Sequence, residues 1–196
     1  MEKNQKPGRQ NAMSLFGKPK GKKYHTRTIE VSTYEFDEQR FAVEGCLTDH
    51  RFQQYYLATG EKRPPGILHK MIIHLLVKKA NLEIEDLHVE MPYVPRQECL
   101  EAINSVDQIK GLRVTGGFSL KVKKLVGRGQ GCNHLVALLT AMGAPIIQGY
   151  AAFKLQGPYG FTTDLIHMLA DTCWTWRADG SLINAVKARI KAKNNE

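Results

Sequence analysis

Residues 68–79, LHKMIIHLLVKK, and residues 82–92, LEIEDLHVEMP, decide the fold of this chain. Both runs are rich in the aliphatic and β-branched residues that suit a pleated, partly buried surface. They flank Lys79-Ala80-Asn81, a spacing that suits a hairpin. In the second run the apolar members are Leu82, Ile84, Leu87 and Val89. The slip between Ile84 and Leu87 breaks the period of two and predicts a bulge near Glu85-Asp86. Met71–Val77, interrupted by His74, is the longest apolar stretch and reads as a buried strand.

Outward from this hairpin the two halves differ in period. Upstream, Thr26–Tyr34 alternates and reads as a strand, and Phe41–Leu57 reads as a longer one. Pro64-Pro65-Gly66 marks a loop between them and the hairpin. Downstream, Leu100, Ile103 and Val106 stand at helical spacing within Gln97–Val106. Phe118–Leu125 suits either a strand or an amphipathic helix. Cys132–Met142 is helical, with Gly143-Ala144-Pro145 ending it and Ile146–Phe153 continuing in helical form. Thr163–Trp176 and Ser181–Lys193 read as two final helices. Strands followed by helices predict an α+β fold: an antiparallel sheet of three to five strands with the helices of the C-terminal half on one face.

Composition places the chain among ordinary globular proteins, at 196 residues with 42% hydrophobic and 24% charged residues. The net charge of +9 invites a nucleic-acid reading, but the basic residues crowd into residues 1–27, where eight Lys or Arg stand against Glu2 alone. We therefore expect a disordered basic leader over residues 1–23 and one α+β domain over 24–196, with translation starting at Met1 or Met13. Weak contact of the leader with nucleic acid or an anionic surface is the partner it allows. No signal peptide is recognisable, and no run approaches the length of a membrane span. The expected location is the cytoplasm. There, the four cysteines Cys46, Cys99, Cys132 and Cys173 point to buried thiols, metal ligands or reactive thiols, not disulfides.

Gly131-Cys132-Asn133-His134-Leu135 places a thiol and an imidazole at a predicted helix start. In a regular helix residues two apart face away from each other, so both reach one ion only if Cys132 is still in the loop. A thiol at a helix N-terminus is acidified, which favours ligation or nucleophilic chemistry. His69, at a strand entry, and Cys99, after the hairpin, complete a set of two thiols and two imidazoles suited to zinc or iron. Cys173, on an apolar stretch, is the alternative fourth ligand. Asp49, followed by His50 and Arg51, joins Cys132 as a candidate for acid–base or nucleophilic work. Gly127-x-Gly129-x-Gly131 ahead of a helix suggests a phosphate cradle, but no Walker lysine follows.

The run from Leu68-His69-Lys70 through the hairpin to Pro92-Tyr93 and Cys99, then Gly131-Cys132-Asn133-His134-Leu135 and Asp171-Thr172-Cys173, resembles an uncharacterised bacterial domain-of-unknown-function family with a Gly-Cys-x-His-Leu motif. The resemblance covers roughly residues 24–178 and implies a fold more than a function. The layout is also similar, more weakly, to iron–sulfur scaffold proteins of the NifU/IscU type. In that comparison His69 falls at a strand-entry ligand, Cys99 at a post-hairpin cysteine, and Cys132 with His134 at a His-Cys pair, here reversed and one residue apart. The leading expectation is a metal-binding accessory protein, zinc or iron or iron–sulfur related, using His69, Cys99, Cys132 and His134. The alternatives are a metal- or cysteine-dependent enzyme acting on a small acidic or thioester substrate, and a metal-free ligand-binding module. The oligomeric state is open.

Overall fold

A computed structural model describes residues 21–157 and 160–193. The expected leader falls almost wholly outside the described residues, as do Pro158 and Tyr159. The order is β1 (His25–Glu35), β2 (Arg40–Arg51), β3 (Tyr55–Tyr56), β4 (Lys62–Arg63), β5 (Gly66–Lys78) and β6 (Ile84–Tyr93). A 3-10 helix (Gln97–Ile109) follows, then α1 (Phe118–Val126), α2 (Asn133–Lys154), α3 (Thr163–Leu169) and α4 (Ser181–Lys193). The main sheet is antiparallel with order β1-β2-β5-β6, and β3 and β4 form a separate small ribbon. The α+β expectation holds, with the helices in the C-terminal half. The expected bulge is present: Leu76 pairs with Asp86 and Val77 with Ile84, leaving Glu85 unpaired in the ladder.

Period-two alternation sorts the sheet into two faces. Phe41, Val43, Leu47, Met71, Ile73, Leu75 and Val77 are buried on the face that the helices cover. Cys46 points the other way and is only half-buried. The outer face also carries Glu44, His74 and His88 in one cross-strand row, with His74 Nε2 3.4 Å from a Glu90 carboxylate oxygen.

Helix α2 lies on β1, β2 and β5. It gets close because the sheet and the helix each supply a glycine where they meet. A Cβ on Gly45 would stand 2.7 Å from Met142 Sδ, and one on Gly149 would stand 2.6 Å from the Thr33 side chain. These contacts fix the helix direction. Gly149 sits over Thr33, which pairs with Val43, and Met142 and Leu138 sit over Gly45. From Gly149 back to His134 the helix covers about 22 Å, and from Val43 to Asp49 the strand covers about 20 Å. The start of α2 is therefore delivered to the Asp49 end of the sheet.

Two helix limits differ from the sequence reading. Gly143-Ala144-Pro145 does not end α2, which runs through Pro145 to Lys154. A proline removes one backbone hydrogen bond; burial of Leu138, Leu139, Met142 and Ile146 along the same helix offsets that loss. Conversely, α3 stops at Leu169. Asp171 adopts φ +60°, and its N–H donates to the Trp176 carbonyl, closing a turn in place of further helix. By length and composition alone, α2 is apolar enough to cross a membrane, which the sequence reading missed. Half of that stretch is buried within the fold, as in a core helix.

Because Gly45 sits beneath Met142 and Leu138, Gly45→Val overpacks this seam. We expect a loss of about 1–3 kcal/mol of stability, read from the urea midpoint. An unchanged midpoint would show that α2 does not ride this close to β2.

Candidate metal centre

The inner face of the sheet turns polar at one end. There Arg27 of β1 pairs with Asp49 of β2, and Asp49 pairs with His69 of β5, so three charged or polar side chains lie side by side across adjacent strands. A bulge adjoins the row: Asp49 faces His69 but His50 faces Ile67, leaving Leu68 extra. Bulges are over-represented next to functional sites, where they re-aim side chains.

Asp49 is 3% exposed. A buried carboxylate needs compensation, and Arg27 supplies it through two hydrogen bonds. Nε donates to Oδ1 at 2.7 Å and Nη2 to Oδ2 at 2.8 Å. His25 Nε2 lies 3.1 Å from Oδ1. Burial pushes the Asp49 carboxyl up, but the hydrogen bonds from Arg27 and His25 outweigh it and hold the group well below the usual carboxylate range. Asp49 is therefore a fixed negative charge.

Two imidazoles converge on the remaining oxygen. His69 Nδ1 lies 3.2 Å from Asp49 Oδ2, and His134 Nε2, from the first turn of α2, lies 3.3 Å from it. The rings stand 3.9 Å apart, centroid to centroid. Asp49, His69 and His134 each present one donor atom, all within 4.8 Å of one another. His69 Nδ1 is buried yet makes no hydrogen bond. Ligands about 2.0–2.1 Å from one ion are themselves about 3–3.5 Å apart, so the two contacts to Oδ2 have the separation of ligands sharing a centre. Burial, then repulsion from His134, lowers the His69 pKa to about 4. The ring is neutral near neutral pH, the form that ligates a metal.

Cys132 stands behind His134. It is the N-cap of α2, in extended conformation at φ −97° and ψ 126°. That is the placement by which Cys132 and His134 can share one locality. Its Sγ lies 3.6 Å from His134 Nδ1. Burial raises the thiol pKa, but His134 and the first-turn amides of Leu135 and His134 outweigh it, and the net direction is down.

Of the residues singled out from sequence, the structure thus brings together His69, His134, Cys132 and Asp49. Cys99 lies near the start of the 3-10 helix, packed against the core and outside the converging group. Cys173 is exposed in the turn after α3. Arg27 and His25 were missed, because β1 reads only as an alternating strand and nothing in it announces its register against Asp49. Within the glycine-rich approach Gly131 serves packing, since a Cβ there would stand 2.5 Å from Ser105 Oγ, whereas one on Gly129 would meet no atom within 4 Å. Near Phe161 the aromatic side chain of Trp176 stacks at 5.9 Å, whereas Trp174 is 80% exposed.

The depressed His69 pKa has a signed consequence. Between about 4 and the unfolded value of about 6.5, the unfolded chain binds a proton that the folded chain refuses. Stability is then fully present above that window and is lost as pH falls through it. Chelator-treated protein should lose on the order of 2 kcal/mol from pH 6.5 to 4, and His69→Gln should flatten that slope. Asp49 acts in the same direction at lower pH, because its carboxyl is held down. Equal slopes for wild type and His69→Gln in denaturant titrations would refute the assignment.

No curated protein and no solved structure matches this chain. The pattern of one family does, over residues 25–148, a span that takes in the whole sheet and the site from His25 to His134. The chain belongs to this family, described as a protein of unknown function (DUF2889).

Proposed function

We propose that the protein binds one divalent metal ion through Asp49, His69 and His134. The observation that carries this reading is the convergence of the buried His69 Nδ1 and of His134 Nε2 on the same Asp49 oxygen. Two imidazoles and one carboxylate suit zinc in an open site, or ferrous iron in a facial triad. Three protein ligands leave coordination positions for water or substrate, which is the layout of a reactive centre and not of a closed structural one. An iron–sulfur cluster asks for several thiolates, whereas the converging group contains none.

The surrounding residues fit supporting roles. With His134 Nε2 turned to the ion, its Nδ1–H donates to Cys132 Sγ and the thiol fixes the tautomer; Arg27 does the equivalent for Asp49. Metal-bound water acidified by the ion is the chemistry such a centre supplies. The free state of all four cysteines suits a reducing compartment, in keeping with a cytoplasmic protein.

One contact favours a second reading, in which Cys132 is a nucleophile with His134 as its base and Asp49 behind the base. The two readings differ in how metal affects the thiol. On the metal reading, zinc titrated into chelator-treated protein binds one equivalent. His69→Ala then weakens binding by well over 100-fold, and Cys132→Ser by about 10–100-fold. Absence of binding, together with fast alkylation of Cys132 indifferent to zinc, would replace the first reading by the second.

A further inference from the structure

The same end of the sheet holds a cation that has no ion-pair partner among the described residues. Arg51 lies two residues beyond Asp49 on β2, paired with His25 on one side and Gly66 on the other. Alternation puts its side chain on the Asp49 face, about 7 Å farther along the strand. Arg51 Nε is buried with no hydrogen-bond partner, and among the described residues no carboxylate pairs with Arg51. The contrast with Arg27 is direct, since Arg27 has both prongs on Asp49. Asp49 is thereby already matched in charge and offers nothing to Arg51. A guanidinium N–H that has lost water and gained no acceptor is costly, and such groups call for an explanation.

Room for an acceptor exists beside it. Directly paired residues of an antiparallel ladder share a face, and the partner of Arg51 on β5 is Gly66, which contributes no side chain. A Cβ built on Gly66 meets no atom within 4 Å. Open space, a guanidinium with an unsatisfied Nε–H and the exposed His25 therefore lie at the end of the sheet that carries the three converging donors. A guanidinium fork matches the paired oxygens of a carboxylate or phosphate group. An ion held by one carboxylate and two neutral imidazoles keeps net positive charge, which also favours an anion next to it.

We propose that this end of the sheet binds an oxyanion, the carboxylate or phosphate group of a substrate, with Arg51 as its anchor beside the metal. The proposal rests on the metal reading for the ion, but the role of Arg51 is separable from it. Zinc, then inorganic phosphate or succinate, are titrated calorimetrically into wild type, Arg51→Gln and Arg51→Lys, each with and without zinc loading. Circular dichroism and melting establish that each variant is folded.

Zinc affinity should be alike in wild type and Arg51→Gln. Oxyanion binding should be saturable in wild type and about tenfold or more weaker in Arg51→Gln, with Arg51→Lys between them because a point charge replaces the fork. A preference for phosphate or for succinate identifies which group is taken. If Arg51→Gln does not fold, Arg51→Lys decides: weakened oxyanion binding supports the anchor, and undiminished binding overturns it. Equal oxyanion binding by wild type and Arg51→Gln, or none by either, overturns the oxyanion site while zinc binding leaves the metal reading intact. Failure of wild type to bind zinc overturns the metal reading, and Arg51-dependent phosphate binding in that protein would keep the anion site alone.

Discussion

A carboxylate buried at the end of an apolar sheet face is the constraint on which this structure turns. Asp49 continues the inward row of β2 past Phe41, Val43 and Leu47, where another aliphatic residue would extend the core. Burying it ionised is tolerable because Arg27, directly opposite on β1, meets both oxygens and His25 meets one of them. Removing Arg27 leaves a buried carboxylate without its main compensation, and the pair also ties β1 to β2. The exposed flank of Arg27 limits how much of that coupling appears as stability. The pair makes sense as a means of keeping one charged oxygen, Oδ2, in a place where two imidazoles reach it.

Helix packing supplies the second half of the site. The seam at Gly45 and Gly149 sets α2 down on the sheet at close range and sends its N-terminus to Asp49. That one placement brings His134 to Oδ2 and Cys132 to the far nitrogen of His134. It also aims the positive end of a 22-residue helix at the thiol, which stabilises a thiolate. The site therefore depends on a rigid sheet and a long helix, not on loops, and rigid elements hold ligand geometry best.

Much of the fold was legible because it is written in local periods. The hairpin of β5 and β6, its bulge at Glu85 and the long helix after Gly131 all follow from spacing within a short window. The limits of α2 and α3 were misread because tertiary burial overrode Pro145 and a left-handed Asp171 closed a turn that propensity does not announce. The site was legible in part. His69, Cys132 and His134 stood out as residue types at element edges, and Asp49 was noticed. The partnership of Asp49 with Arg27 depends on strand register across 22 residues, which no local pattern encodes. Cys99 and Cys132 were both read as ligands in sequence, whereas the folded chain sets Cys132 against an imidazole and packs Cys99 on the core.

The central claim is that a metal ion here sees nitrogen and oxygen, with sulfur hydrogen-bonded to the far side of an imidazole ligand. X-ray absorption at the metal edge of the zinc- or iron-loaded protein tests it most directly. The account predicts a first shell of nitrogen and oxygen near 2.0–2.1 Å with the outer scattering of about two imidazoles. A sulfur shell near 2.3 Å would contradict it, placing Cys132 or Cys99 on the ion and Asp49 outside it.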